Sequence, residues 1–120
     1  MNKLCIGTAN FGLKYGIIGN KKLQTLEIKK FINCLEVNNI NFIDTAISYG
    51  DAQERLGLAG VQKFNIITKL PTLSLINNNL GNAIIEKVYN SLKLTKKENF
   101  YGLLLHRSSD LLSENGHLIF

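Results

Sequence analysis

Residues that can exchange protons or donate hydrogen bonds follow three apolar stretches of this sequence. Asp44, Lys69 and His106 each come directly after such a stretch, and Tyr49 lies five residues beyond Asp44. A carboxylate beside a lysine lets both stay charged under partial burial, because each opposes the other's desolvation. A cation near the Tyr49 hydroxyl favours the phenolate, which makes a tyrosine usable as a general acid. His106 could donate a hydrogen bond that orients a carbonyl oxygen. The set is suited to protonating a carbonyl while another group delivers hydride.

Four apolar runs predict the strands that would position these residues. The runs are near-continuous rather than alternating, which is typical of parallel strands covered on both faces. They are Leu4 to Ile6, Ile40 to Ile43, Phe64 to Thr68 and Phe100 to Leu105. Helical periodicity lies between them, so the order of elements predicts an α/β fold with a parallel sheet and right-handed crossovers. In a parallel (β/α) barrel the active site lies at the C-terminal ends of the strands, where these polar residues would converge.

The segments between the strands predict three helices. The first carries apolar residues at helical spacing from Ile28 to Leu35, with Thr25 as its N-cap. The second runs from Asp51 to Leu56, with a capping box of Asp51 and Glu54 and a stop at Gly57. The third carries its apolar face from Leu80 to Leu92 after the cluster Asn77-Asn78-Asn79. Leu111-Leu112 is predicted to begin a fourth helix.

Composition narrows the class of protein. The chain has 120 residues and 45% hydrophobic residues, which predicts one domain with a real core and no membrane-spanning segment. Cys5 and Cys34 lie in apolar surroundings outside any metal-ligand motif, so we expect buried free thiols, no metal site and a cytoplasmic location. The net charge of +5 is spread along the chain without interleaved aromatics, so nucleic-acid binding is not expected.

Each of the four candidate active-site residues also has a structural interpretation when it is considered alone. Asp44 could be a strand-end turn residue, Lys69 a solvated strand terminus, His106 a structural histidine and Tyr49 a packed aromatic with a wet hydroxyl. None of these interpretations explains why all of them fall at or just beyond successive strand ends. The joint placement therefore favours an active site.

These residues resemble the signature of the aldo-keto reductase family. The block from Phe42 to Ala46, followed by Tyr49-Gly50, Glu54 and Leu56-Gly57, is similar to the block that carries the family's aspartate and tyrosine. The opening from Gly7 to Gly12 is similar to the family's first strand and loop. The strands ending in Lys69 and His106 resemble those that bear the family's lysine and histidine. The resemblance covers essentially the whole chain, residues 1–120, in the family's order.

The resemblance implies a fold, a tetrad and a cofactor. The fold would be a TIM-type (β/α) barrel of which this chain supplies about the first four βα units, the N-terminal half of the domain. Asp44, Tyr49, Lys69 and His106 would form the catalytic tetrad, with Tyr49 as the general acid. The reaction would be the NADPH-dependent reduction of an aldehyde or ketone. Thr8 and Asp44 would contact the cofactor near its nicotinamide ribose, and most of the remaining cofactor site would lie in the other half.

Two other functions stay open at this stage. A half-barrel leaves strand edges unpaired, which invites association, so the chain could be an inactive remnant or a self-associating module without enzymatic activity. A different barrel enzyme, such as a phosphate-binding isomerase, would carry a glycine loop late in the barrel. As a reductase, 120 residues are expected to be too few for activity alone.

Overall fold

The computed structural model describes residues 4–15, 22–72, 79–114 and 116–119. Its strands and helices follow the predicted order, with one additional short helix directly after the first strand. They are β1 (Cys5–Gly7), α1 (Ala9–Gly12), α2 (Thr25–Val37), β2 (Phe42–Asp44), α3 (Ala52–Ala59), β3 (Asn65–Leu70), α4 (Leu80–Thr95), β4 (Gly102–Leu105), and two 3₁₀ turns, Ser108–Leu112 and Gly116–Ile119. The four strands form one parallel sheet in the order β1-β2-β3-β4. All four predicted strands are present, with ends that differ from the prediction by up to two residues, and the α/β fold class is confirmed.

The two faces of the sheet differ because neighbouring residues of a strand point to opposite sides. Ile6, Ile43 and Ile66 share one register level and lie on the outer face, where Ile43 and Ile66 are fully buried. The helices pack on this outer face, and α2 contributes Ile28 and Ile32 to the same core. The core therefore lies between the sheet and its helices, as crossover connections require.

The opposite side of the sheet is called the inner face here. Its residues follow from strand alternation and from the paired registers: Cys5, Gly7, Phe42, Asp44, Asn65, Ile67, Lys69, Gly102 and Leu104. All of them are half-buried or exposed. The inner face thus carries both the polar pair Asp44 and Lys69 and a set of apolar side chains.

Two predicted helix boundaries are wrong for identifiable reasons. Gly57 does not stop α3, which continues to Ala59 and ends at Gly60 with φ of +90°. Gly57 instead lies where α4 approaches α3, since a Cβ at this position would be 2.1 Å from the Leu94 carbonyl oxygen. Thr25 is the first residue of α2 rather than its cap, because the side chains of Gln24 and Glu27 form the capping box.

Asp51 occupies the N-cap position of α3 but makes no side-chain capping bond, so the predicted capping box with Glu54 is absent. Its carboxylate is 2.7 Å from Lys22 Nζ and 2.9 Å from Arg55 Nε. Burial alone would raise the pKa of Asp51, but the hydrogen bonds from Lys22 and Arg55 hold it below its usual value. Ion pairing replaces helix capping at this residue.

The remaining helix predictions have mixed outcomes. The third predicted helix is confirmed as α4, and Asn79 caps it by accepting a hydrogen bond from the Asn82 N–H, while Asn77 and Asn78 lie outside the described residues. Leu111-Leu112 ends a 3₁₀ turn and does not begin an α-helix. No helix within the described ranges combines the length and hydropathy of a membrane span.

The prediction of buried cysteines is wrong, although both thiols are free. Cys34 is exposed on α2, whose core contacts come from Ile28, Ile32 and Leu35. Cys5 is exposed because it lies on the inner face of the sheet, away from the helices, and β1 is an edge strand of the described sheet.

Candidate active site

Asp44 and Lys69 meet at the C-terminal end of the sheet. Asp44 is the last residue of β2 and pairs with Ile67, two positions before Lys69 on β3, so both side chains lie on the inner face. The Lys69 Nζ is 2.6 Å from each carboxylate oxygen of Asp44 and also donates to the Thr45 carbonyl oxygen at 3.1 Å. The two side chains are 18% and 30% exposed, so the pair is partly shielded from water. The predicted ion pair is present.

Tyr49 and His106 complete the group that the sequence predicts. Tyr49 lies in the turn between β2 and α3, and the Lys69 Nζ is 5.2 Å from the centroid of its ring. This distance is within the range of a cation–π interaction. His106 directly follows β4, and its ring meets the Tyr49 ring edge to face at a centroid distance of 6.1 Å. The four residues from three successive strand ends thus form one cluster.

Thr8 joins the end of β1 to this cluster. It is fully buried, and both its N–H and its hydroxyl donate to the Asp44 carbonyl oxygen at 3.0 Å. Thr8 and Tyr49 border a cavity of about 370 Å³ whose other lining residues are Gly7, Ala9, Asn10 and Tyr15. The sequence interpretation included Thr8 but missed Asn10, which lies in α1, and Tyr15, which follows that helix.

A buried hydrogen bond supports the strand that carries Lys69. The Gln53 side-chain amide on α3 donates to the Thr68 hydroxyl at 2.9 Å. Gln53 is 3% exposed and Thr68 is fully buried. Because Thr68 immediately precedes Lys69, this bond fixes β3 against α3 next to the site. Sequence reasoning missed Gln53, although a glutamine flanked by core positions Ala52 and Leu56 was a usable signal.

The turn that holds Tyr49 packs directly on the short helix α1. A Cβ at Gly12 would lie 1.7 Å from the Tyr49 carbonyl oxygen and 2.6 Å from the Ala52 nitrogen. Gly50 has φ of +58°, and a Cβ there would lie 2.6 Å from the Gly12 carbonyl oxygen. The backbone of Tyr49 can occupy this place only because neither glycine carries a side chain.

Cys5 lies close enough to the ion pair to respond to it. Partial burial raises the pKa of the Cys5 thiol, the negative charge of Asp44 raises it further, and the positive charge of Lys69 opposes both effects. The thiolate is the reactive form of cysteine, so a raised pKa slows its alkylation at neutral pH. Cys5 therefore reports on the charge of the site.

We expect alkylation of Cys5 to reach half its maximal rate at a higher pH than the value of about 8.5 for an unperturbed cysteine. The measurement is the rate of iodoacetamide labelling against pH in a Cys34→Ser background. Asp44→Asn should lower this midpoint because it removes a neighbouring negative charge, and Lys69→Met should raise it. A midpoint that responds to neither substitution would contradict the placement of Cys5 beside the pair.

Comparison with known proteins establishes the fold of this chain. No family model and no curated protein matches it. Two solved structures from Pseudomonas aeruginosa, both described as inferred aldo-keto reductases, match 94% of the chain. The first, a crystal structure, has a TM-score of 0.73 and 24% identity over 47% of its own length. The second has a TM-score of 0.72 and 22% identity over 46% of its length. The chain thus has the fold of part of a TIM-type barrel, four parallel strands with flanking helices, and spans about half of each matched structure.

Proposed function

We propose that this chain belongs to the aldo-keto reductase family and contributes the catalytic tetrad of an NADPH-dependent carbonyl reductase. The observation that carries the proposal is the cluster of Asp44, Lys69, Tyr49 and His106. Lys69 lies 2.6 Å from the Asp44 carboxylate and 5.2 Å from the centroid of the Tyr49 ring. The signature residues from Phe42 to Gly57 and the likeness of the fold to two inferred members of the family support it.

In this proposal Tyr49 gives its phenolic proton to the carbonyl oxygen as that oxygen gains negative charge. The Lys69 ammonium stabilises the phenolate that remains, because a cation lowers the energy of a nearby anion. Asp44 holds Lys69 in place through both of its carboxylate oxygens. His106, beside the Tyr49 ring, orients the carbonyl by donating a hydrogen bond.

The residues around the cavity fit the nicotinamide ribose end of NADPH. The cavity of about 370 Å³ reaches Thr8 and Tyr49, so it lies beside the proposed proton donor. Thr8 would hold the ribose from the wall of this cavity, and Asp44, which is hydrogen-bonded to Thr8 but does not line the cavity, would hold it from the end of β2. The Thr8 oxygen can still accept a hydrogen bond while it donates to the Asp44 carbonyl oxygen. When bound, the cofactor would supply the hydride for the carbonyl carbon. The substrate would be a small aldehyde or ketone.

The first experiment is thermal unfolding of the purified 120-residue chain with and without saturating NADPH, followed by NADPH oxidation with a panel of aldehydes and ketones. A ligand at 100 times its Kd stabilises the folded state by about 2.7 kcal/mol. We therefore expect a cooperative transition that NADPH moves to higher temperature. The double variant Asp44→Asn, Thr8→Val should lose this shift. A cooperative transition that NADPH leaves unchanged would contradict the proposed cofactor site, whereas absence of turnover is expected of a chain that spans about half of each matched structure.

Self-association through the open strand edges is the second candidate function, and it needs no reductase activity. Within the described sheet, β1 pairs only with β2 and β4 only with β3. Leu103 and Leu104 on β4 are 45% and 49% exposed. Unpaired edges with apolar side chains favour strand addition by another chain.

A further inference from the structure

The surface around β4 is an apolar feature of the described residues that the proposed active site leaves unexplained. A cavity of about 490 Å³ opens beside this strand. It is lined by Leu70, Ile84, Leu103, Leu104, Leu105 and Leu111, together with Ser108. At the other side of the sheet, β1 also offers an edge without a described strand neighbour. A partner that covers both edges must therefore present two strand edges of its own.

A second copy of this chain meets that requirement by symmetry. Rotation about a two-fold axis parallel to the strands preserves strand direction, so β4 of one copy would lie parallel to β1 of its partner, and the reverse contact would follow. Two copies would supply eight parallel strands, the number that closes a TIM-type barrel. The matched structures are about twice as long as the segment that this chain covers, at 47% and 46% of their lengths.

We propose that the inner face and both sheet edges form a dimerisation surface, and that two copies close one barrel through two β4–β1 seams. The proposal specifies the self-association suggested above and rests on the registers of the sheet, so it stands or falls independently of carbonyl reduction. Because each copy carries a net charge of +5, the two copies repel each other, and added salt should strengthen the dimer by screening.

The observed registers fix which residues would meet at each seam. Leu104 pairs with Lys69, which lies two positions beyond the level shared by Ile67, Asp44 and Gly7. An eight-stranded barrel has a shear of about 8, so a half circuit displaces the pairing by about 4 residues. A displacement toward the start of the partner's β1 keeps β4 and β1 side by side. The opposite displacement would carry β4 past the end of β1. Leu104 would then pair with the partner's Cys5, and His106 with the partner's Gly7.

This pairing also satisfies the alternation of side chains. Leu104 and Cys5 both belong to the inner face, so at the seam they would project to the same side of adjacent strands. The pairing would bring His106 of one copy beside the cavity that Gly7 and Thr8 line in the other. His106, which directly follows β4, would thus gain neighbours from the partner that its own copy does not supply.

Disulfide formation between copies tests the seam directly. Adjacent strands lie about 4.8 Å apart, and disulfides span Cα distances of about 4.4–6.8 Å. Leu104→Cys in a Cys34→Ser background should therefore form a covalent dimer through Cys5 under mild oxidation at alkaline pH, seen on a non-reducing gel. Adding Cys5→Ser should abolish the product that contains Cys5, identified by mass spectrometry. Leu58→Cys, at a comparably exposed leucine on α3 (57%), should give no Cys5-linked dimer.

Analytical ultracentrifugation supplies a second readout that needs no cysteine chemistry. The unmodified chain should show a concentration-dependent dimer. Leu104→Glu should weaken dimerisation at least about tenfold, because it buries a carboxylate at the seam beside Lys69, whose ammonium is already engaged by both Asp44 oxygens. Leu58→Glu should leave dimerisation unchanged. A chain that remains monomeric, or a dimer that tolerates Leu104→Glu and forms no Cys5-to-Leu104→Cys bond, would overturn the proposal. NADPH-dependent stabilisation or turnover bears on the reductase proposal alone.

Discussion

Replacing Tyr49 with phenylalanine is expected to abolish carbonyl reduction while leaving NADPH binding nearly intact. The substitution removes only the hydroxyl that would donate the proton, and the ring can still contact Lys69 and His106. A positioned general acid contributes about 10²–10⁴-fold to rate. The measurement is NADPH oxidation in the presence of a carbonyl substrate, in a form of the protein that turns over, together with the thermal shift caused by NADPH.

A matched control separates this effect from a general loss of tyrosine. Tyr89 on α4 is 70% exposed and does not belong to the cluster. Tyr89→Phe should leave both the rate and the cofactor-induced thermal shift unchanged. If Tyr49→Phe retained normal turnover, Tyr49 could not be the acid. If it lost cofactor binding as well, its role would be in binding rather than proton transfer.

Gly12→Ala should strongly destabilise the fold around the candidate site. The new methyl group would lie 1.7 Å from the Tyr49 carbonyl oxygen and 2.6 Å from the Ala52 nitrogen, both backbone atoms that cannot rotate away. Either α1 or the Tyr49 turn must then move. Overpacking in a well-packed interior costs about 1–3 kcal/mol, and occasionally more. We expect the melting temperature to fall by several degrees, since a 1 kcal/mol loss lowers it by about 2–8 °C in domains of this size range.

Gly81→Ala is the appropriate comparison for this substitution. Gly81 lies in α4, and a Cβ there would have nothing within 4 Å. Alanine is a better helix former than glycine by up to about 1 kcal/mol, so the melting temperature should stay the same or rise. Equal effects of the two substitutions would show that the Gly12 contact with the Tyr49 turn is not tight.

The strands were predictable because each is a short apolar run, and the site followed from the strand ends. Asp44, Lys69 and His106 fall where parallel strands place their last residues, so convergence needed no knowledge of distances. Tyr49 could be added because it lies only five residues beyond Asp44. In contrast, Thr8 was assigned a cofactor contact only through family resemblance, and its hydrogen bond to the Asp44 carbonyl is a tertiary detail.

The wrong predictions at Gly57, Asp51 and Cys5 share one physical cause, which is that local patterns do not reveal how a segment packs in the folded chain. Gly57 follows a helical segment and therefore has the pattern of a helix stop. In the fold, however, it lies so close to the Leu94 carbonyl group that a side chain at this position would clash with it. Asp51 has the pattern of a cap, but Lys22 and Arg55 engage its carboxylate. Cys5 has apolar neighbours in sequence, but whether a strand residue is buried depends on which face the helices cover.

The sequential strand order also sets the order in which parts of the site would open. Among the described strands, β2 and β3 each have two hydrogen-bonded neighbours, whereas β1 and β4 each have one. Local unfolding begins where few contacts hold the chain. In the monomeric chain, amide hydrogen exchange should therefore be slowest along β2 and β3. Asp44 and Lys69 belong to this slow-exchanging pair, whereas Thr8 and His106 adjoin the outer strands. The ion pair would therefore persist through openings that release the residues on either side of it.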